Sequence, residues 1–158
     1  MEIFTKELLI RLITSIFCSI AFAIIFKVDR RHLPYIGICG LLTYFLFHVV
    51  IGIGGSVFVA AFASTCFTAT YSEICARRMR APAIIYIFTG VIPTVPGGDL
   101  YNAMRALLLT DYPGSLSYLS IAIMTGVGIA GGIVTVSILF GMFSDLVSSV
   151  RKKKGCKK

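Results

Sequence analysis

The chain is divided into long apolar segments that are separated by short polar or basic connections. Four of the segments are long enough to cross a bilayer, which needs about 20 apolar residues in a helix. They comprise residues 8–26, 33–53, 56–76 and 116–147. A fifth segment begins at Ala83 and is interrupted early. Since 57% of the 158 residues are hydrophobic and 14% are charged, an ordinary water-soluble domain is excluded. We expect an all-α integral membrane protein of about five transmembrane helices.

The basic residues indicate how the chain is oriented in the membrane. The net charge of +8 does not indicate nucleic-acid binding, because the cations fall in short runs between apolar segments. Five crossings place the runs at residues 27–31 and 77–80 on the same side as the basic tail, residues 151–158. Cytoplasmic loops are enriched in Lys and Arg. We therefore predict one multi-pass domain in the cell membrane over residues 1–150, with the N-terminus outside and the C-terminus cytoplasmic. Four spans with a re-entrant fourth element are the alternative.

The fourth segment contains prolines and glycines where a spanning helix would continue. These residues are Pro93, Pro96, Gly97 and Gly98. Proline removes a backbone donor and clashes with the preceding turn, so we predict a break here. A short amphipathic helix follows, and we expect Asp99 to cap it. A break at membrane depth is tolerated only where protein or a water-filled cavity surrounds the backbone. A Pro-Gly loop at the membrane surface is the alternative interpretation.

A helix that starts at membrane depth predicts a solute site. Its free N–H groups and positive dipole end suit a carboxylate-bearing solute, while Asp99 is able to bind an ammonium group or carry a proton. Arg105 is able to bind a substrate carboxylate or to extend to the membrane surface. The candidate substrate pathway comprises Pro93, Pro96, Gly97, Gly98, Asp99, Tyr101, Asn102 and Arg105.

Glu73 and Arg77 form a second group of candidate residues near the end of the third segment. Glu73 precedes Arg77 by one helical turn, the orientation that favours an ion pair. A structural pair at the membrane interface is one interpretation. A proton or substrate role for Glu73 is the other, because ionisable groups at membrane depth are costly and usually functional.

Other patterns do not indicate a metal site, a cofactor or an enzyme. A G-x-G-x-x-G sequence at residues 126–131 lies inside an apolar segment, so we expect Gly128 and Gly132 to support close helix packing instead. His48 has no second ligand at metal-binding spacing, and we expect it to form a hydrogen bond between helices. The five cysteines contain no C-x-x-C pair, and we expect core packing for all but Cys156 in the tail.

The chain resembles the small five-helix module of the threonine/serine exporter family, which also includes dicarboxylate exporters. The pattern that carries the resemblance is Pro93, Pro96, Gly97, Tyr101 and Met104. Supporting matches are Ser72, Glu73, Arg77, Pro82, Asp111 and Tyr112. The resemblance covers nearly the whole chain.

The resemblance implies a subunit of a proton-coupled secondary exporter that moves threonine or serine. A dicarboxylate such as succinate is the alternative small-molecule substrate. The resemblance also implies a larger membrane subunit that carries the complementary inverted half, since inverted repeats support alternating access. A homo-oligomer is the alternative assembly. A structural or assembly protein in the lipid bilayer, with no solute pathway of its own, is the competing function.

Overall fold

The computed structural model describes residues 2–155, with side chains for residue 6 and residues 8–142. Within this range the chain is helical and contains no strand. The α-helices are α1 Glu2–Ile25, α2 Leu33–Gly52, α3 Val57–Met79, α4 Ala83–Val91, α5 Gly97–Leu108 and α6 Tyr112–Gly155. A turn of 3₁₀ helix, Ile92–Thr94, extends α4.

The helices provide four candidate spans and one bent pair, which is either a broken span or a re-entrant loop. The spans that are long and apolar enough to cross a membrane are Leu8–Ile25, Leu33–Gly52, Val57–Met79 and Tyr112–Met142. The fifth element consists of Ala83–Thr94 and Gly97–Leu108, which are bent by 46° relative to each other. This confirms the predicted all-α membrane fold with its fourth helix broken.

Two helices extend beyond their predicted bounds. The helix α1 begins at Glu2 rather than at residue 8, and α3 continues to Met79 rather than ending near residue 76. Arg77 and Arg78 occupy the last turn of α3, where cations interact favourably with the helix dipole. The helix ends where Arg80 adopts a left-handed backbone conformation with φ 54°. The backbone of α6 continues through residue 151 to Gly155, and Cys156 lies outside the described residues.

Small residues form the contacts between helices. The helix α2 packs against α1, α3 and α4, whereas α6 packs against α3 and α5. A Cβ at Gly128 would lie 2.9 Å from the Cβ of Ala61, and a Cβ at Gly132 would lie 2.9 Å from the Cβ of Thr65. The glycine pair therefore lets α6 approach α3 closely, which confirms the packing predicted for it.

Buried hydroxyl groups join α2 to α3. The Oγ1 atoms of Thr43 and Thr68 are hydrogen-bonded to each other in the interior. One of the two hydroxyls donates to the other, and the hydroxyl that accepts donates within its own helix, Thr43 to the carbonyl of Cys39 or Thr68 to the carbonyl of Ser64. Since a buried hydroxyl without a partner is costly in an apolar environment, these bonds favour one arrangement of the two helices.

Candidate solute site at the broken helix

The backbone satisfies part of its own hydrogen bonding at the break. The hydroxyl of Thr94 donates to the carbonyl of Val91 over 2.7 Å, and the Val95 N–H donates to the carbonyl of Ile92 over 3.1 Å. Pro96 has φ −78° and ψ 52°, and the Gly97 N–H donates to the carbonyl of Val95 over 2.8 Å. This geometry is an inverse γ-turn. It turns the chain from α4 into α5.

The lengths of α4 and its 3₁₀ extension indicate how deep in the bilayer the break would lie. The helix α4 has 9 residues and the 3₁₀ turn has 3, so at about 1.5 Å per residue the break begins about 18 Å from Ala83. Ala83 follows the basic run at residues 77–80, which marks one end of the bundle. Half of a typical hydrocarbon core is about 15 Å. This depth supports a break inside the membrane over a loop at its surface.

A cavity of about 520 Å³ lies at the break. We call it the break cavity. Its wall is formed by residues of α1, α2, α3 and α6, by the residues at the break, and by the first turn of α5. They are Arg11, Tyr44, Phe47, His48, Ile51, Val57, Pro93, Thr94, Val95, Pro96, Gly98, Asp99, Ile121 and Thr125. The volume falls in the range of about 300–1,000 Å³ that is typical of small-molecule sites.

The structure brings only part of the predicted pathway together. The predicted residues in the wall of the break cavity are Pro93, Pro96, Gly98 and Asp99. The predicted residues outside this wall, as the structure describes it, are Gly97, Tyr101, Asn102 and Arg105. The Tyr101 side chain is 69% exposed, and Arg105 is exposed on α5 as well. The cavity therefore meets the first turn of α5 and not the rest of that helix.

Asp99 does not cap α5 as predicted. The helix begins at Gly97, its N-cap residue is Pro96, and no side chain forms a capping hydrogen bond. The turn at Pro96 already directs the chain along the axis of α5, and the Pro96 carbonyl accepts the first helical bond from the Leu100 N–H over 3.1 Å. Asp99 is thus in the first turn, partly buried, and its carboxylate belongs to the cavity wall.

Arg11 is a wall residue that the sequence reasoning missed. It lies in the apolar segment Leu8–Ile25 of α1, about 21 Å from Ile25 by the helical rise. It also lines an adjoining cavity of about 240 Å³, together with Tyr44 and Pro93. An arginine within a membrane span is costly and by default marks a functional site. That signal is present in the sequence, because Arg11 lies within an apolar segment that is long enough to cross the bilayer.

His48 and Tyr44 are wall residues that the sequence does not predict either, as are Thr94 and Thr125. His48 Nε2 lies 3.0 Å from the Tyr44 hydroxyl, and both residues belong to α2. The predicted hydrogen bond of His48 to another helix is therefore wrong. His48 and Tyr44 are four residues apart and lie on one face of α2, so their hydrogen bond stays within that helix. Both residues line the break cavity instead. No sequence pattern distinguished His48 from a packed interior histidine.

A family model described as Threonine/Serine exporter, ThrE, matches residues 11–139. The chain belongs to the threonine/serine exporter family. The matched range of this exporter family begins at Arg11 and includes the whole wall of the break cavity. Membership confirms the resemblance to the threonine/serine exporters and supports a multi-pass membrane protein of amino-acid export. Searches of the curated proteins and of the solved structures find no match.

Glu73 and Arg77 of this exporter-family member lie outside the wall of the break cavity. Arg77 Nε is 3.7 Å from Glu73 Oε2, and the guanidinium carbon of Arg77 is 5.0 Å from the centre of the Phe140 ring. The ring therefore offers a cation–π contact in addition to the ion pair. The ion pair lies within the last turns of α3, and the cation–π contact connects the end of α3 to α6.

Proposed function

We propose that the chain is a subunit of a secondary exporter that carries threonine or serine through the break cavity. The observation that supports this most is the meeting of Arg11, Asp99 and a broken helix in one cavity. An amino acid carries one carboxylate and one ammonium group. Arg11 is suited to the carboxylate and Asp99 to the ammonium.

The first turn of α5 supports carboxylate binding from a second direction. The N–H groups of Gly97 and Leu100 donate to the carbonyls of Val95 and Pro96, which leaves the N–H groups of Gly98 and Asp99 without a carbonyl partner within the helix, at the positive end of its dipole. Gly98 belongs to this turn and to the cavity wall. The Thr94 and Thr125 side chains also lie in the wall, and hydroxyl groups suit the hydroxyl of threonine or serine.

Asp99 favours an amino acid over a dicarboxylate. Succinate has two carboxylates and no ammonium group, so an ionised Asp99 would repel it. An amino acid turns the same charge into an attraction. We therefore place threonine or serine first, and succinate export is an outcome that the test must distinguish.

The proposal also includes a larger partner subunit, coupling of export to a proton, and an orientation of the chain in the membrane. An odd number of crossing elements supports a larger partner with the complementary inverted half, as in inverted-repeat transporters. Asp99 and His48 are titratable groups in the cavity wall and are therefore candidates to carry a coupled proton. The cluster of basic residues at one end of the bundle supports a cytoplasmic C-terminus in the cell membrane.

Efflux from intact cells tests this function with the natural partner present. The gene is deleted in its host, cells are loaded with a threonine-containing dipeptide, and extracellular threonine is followed with and without a protonophore. We expect slower efflux in the deletion strain and recovery when the gene is restored on a plasmid. A parallel experiment with succinate separates the two substrates. Unchanged efflux of both compounds would refute a transport role.

A further inference from the structure

A larger concave surface lies at the opposite end of α1 from the N-terminus. It is a cleft of about 980 Å³ between the α1–α2 connection and the α3–α4 connection. We call it the loop cleft. Its lining consists of residues 26–32 and 78–82 together with Ile85 and Tyr86. It has no residue in common with the break cavity.

The lining of the loop cleft is strongly cationic. It contains one carboxylate, that of Asp29, and five cations, which are Lys27, Arg30, Arg31, Arg78 and Arg80. Among the side chains that the structure describes, the recorded ion pair is Arg77 with Glu73, and neither residue lines the cleft. A concave surface with one sign of charge concentrates counter-ions. Arginine clusters bind phosphate groups through paired hydrogen bonds.

Apolar side chains lie beside these cations. Phe26, Ile85 and Tyr86 belong to the lining, and Tyr86 is buried and hydrogen-bonded to His32. The cleft is formed where α1 and α3 end and α2 and α4 begin, which is where membrane helices meet the headgroup region. A ligand with a phosphate next to acyl chains fits this combination better than a free anion does.

The backbone holds one cation on each side of the cleft in a conformation that usually favours glycine. Lys27 and Arg80 both have φ 54°. They end α1 and α3 in Schellman-type caps, where Val28 N–H donates to Ala23 and Ala81 N–H donates to Ala76. A non-glycine residue in the left-handed region is strained, because its Cβ lies too close to the backbone. At both positions glycine would make the same cap without that strain.

We propose that the loop cleft binds the phosphate of an anionic phospholipid headgroup. This goes beyond the proposed transport of an amino acid and does not depend on it. The five cations hold the phosphate, and the side chains of Phe26 and Ile85 contact the first part of the acyl chains. The interaction ties the two connections to the membrane surface.

Native mass spectrometry of the full chain released from detergent tests the site. The probes are dioleoylphosphatidylglycerol and, as the zwitterionic comparison, dioleoylphosphatidylcholine. The test variant carries Lys27→Gly and Arg80→Gly, which remove two cations while easing the backbone. Thr110→Gly is the matched control, because Thr110 is also left-handed, with φ 59°, and does not line the cleft. Thermal unfolding of all three proteins is measured in parallel.

We expect the wild-type chain to retain phosphatidylglycerol in preference to phosphatidylcholine. Each cation removed should lower retention of phosphatidylglycerol about fivefold, while Thr110→Gly retains it like the wild type. Neither variant should unfold at a lower temperature. If the double glycine variant does not fold, Arg30→Gln with Arg31→Gln removes two cations without changing a left-handed residue, and the same loss is expected.

Three results would overturn the proposal. The first is equal retention of the two lipids. The second is retention of phosphatidylglycerol by the variants that lack two cations. The third is displacement of the lipid by millimolar inorganic phosphate, which would assign the cleft to a soluble phosphate.

Discussion

Arg11 of α1 and Asp99 of α5 line the same cavity, although they lie far apart in the sequence. The recorded ion pair among the described side chains is Glu73 with Arg77, so the structure does not join Arg11 to Asp99 within salt-bridge distance. Two opposite charges that share a cavity and form no ion pair with each other are both available to a solute that carries both charges. This relationship supports a zwitterionic substrate more directly than either residue alone.

Replacement of Arg11 by Gln tests the cationic side of the cavity. We expect threonine efflux to fall about tenfold or more, because a hydrogen bond to a charged group is lost. The amount of protein in the membrane should remain the same or increase, since an arginine within a span is costly. Efflux is measured per molecule of protein in the membrane.

Lys6→Gln is the matched control for Arg11→Gln. Lys6 also lies on α1 and is exposed, but it precedes the apolar segment Leu8–Ile25. It should leave efflux unchanged. Equal rates for wild type and the Arg11 variant would exclude Arg11 from the solute pathway.

Gly97 and Gly98 provide a matched pair at the start of α5. An added Cβ would meet nothing within 4 Å at either position, and neither glycine has a positive φ. Alanine should therefore be tolerated by the fold at both positions and favour the helix slightly. Only Gly98 lines the break cavity. We expect Gly98→Ala to lower threonine efflux several-fold by filling cavity space, while Gly97→Ala has little effect. A similar loss of threonine efflux in both variants would show that the effect does not depend on whether the residue lines the break cavity.

The sequence was sufficient to predict features that depend on residues close in the chain. The spans follow from segment length, the break from Pro93 and Pro96, and the approach of α6 to α3 from Gly128 and Gly132. Each of these depends on local composition or spacing. They could therefore be predicted without knowing how the helices are arranged.

The wall of the break cavity could not be predicted in this way. It combines α1, α2, α3 and α6 with the break, so Arg11, Tyr44 and His48 become wall residues only through the arrangement of the helices. The sequence predicts Asp99 as the N-cap of α5, and this prediction is wrong. The turn at Pro96 starts α5 at Gly97, so Asp99 lies inside the first turn. Tyr101 and Arg105 belong to the predicted pathway because they lie close to the break in sequence. In the structure both are exposed on α5.

The contact between α3 and α6 predicts a difference in stability among glycines of one helix. At Gly128 an added Cβ would lie 2.9 Å from the Phe58 carbonyl oxygen as well as from Ala61. We expect Gly128→Ala to destabilise the protein by about 1–3 kcal/mol through overpacking. Gly126→Ala is the control, since nothing lies within 4 Å of a Cβ there. Thermal unfolding in detergent measures both, and equal midpoints would show that α6 does not pack on α3 through Gly128.

Glu73→Gln distinguishes the two interpretations of the Glu73–Arg77 pair. The side chains are 23% and 56% exposed, and Arg77 Nε is 3.7 Å from Glu73 Oε2. A partly exposed pair of this kind contributes about 0.5 kcal/mol or less, and Arg77 keeps its contact with Phe140. We expect a small decrease in the unfolding temperature and unchanged threonine efflux at each external pH. A double-mutant cycle with Arg77→Gln measures the coupling free energy of the pair. If Glu73→Gln abolished efflux while stability stayed the same, Glu73 would carry a proton or contact the substrate, and the pair would not be merely structural.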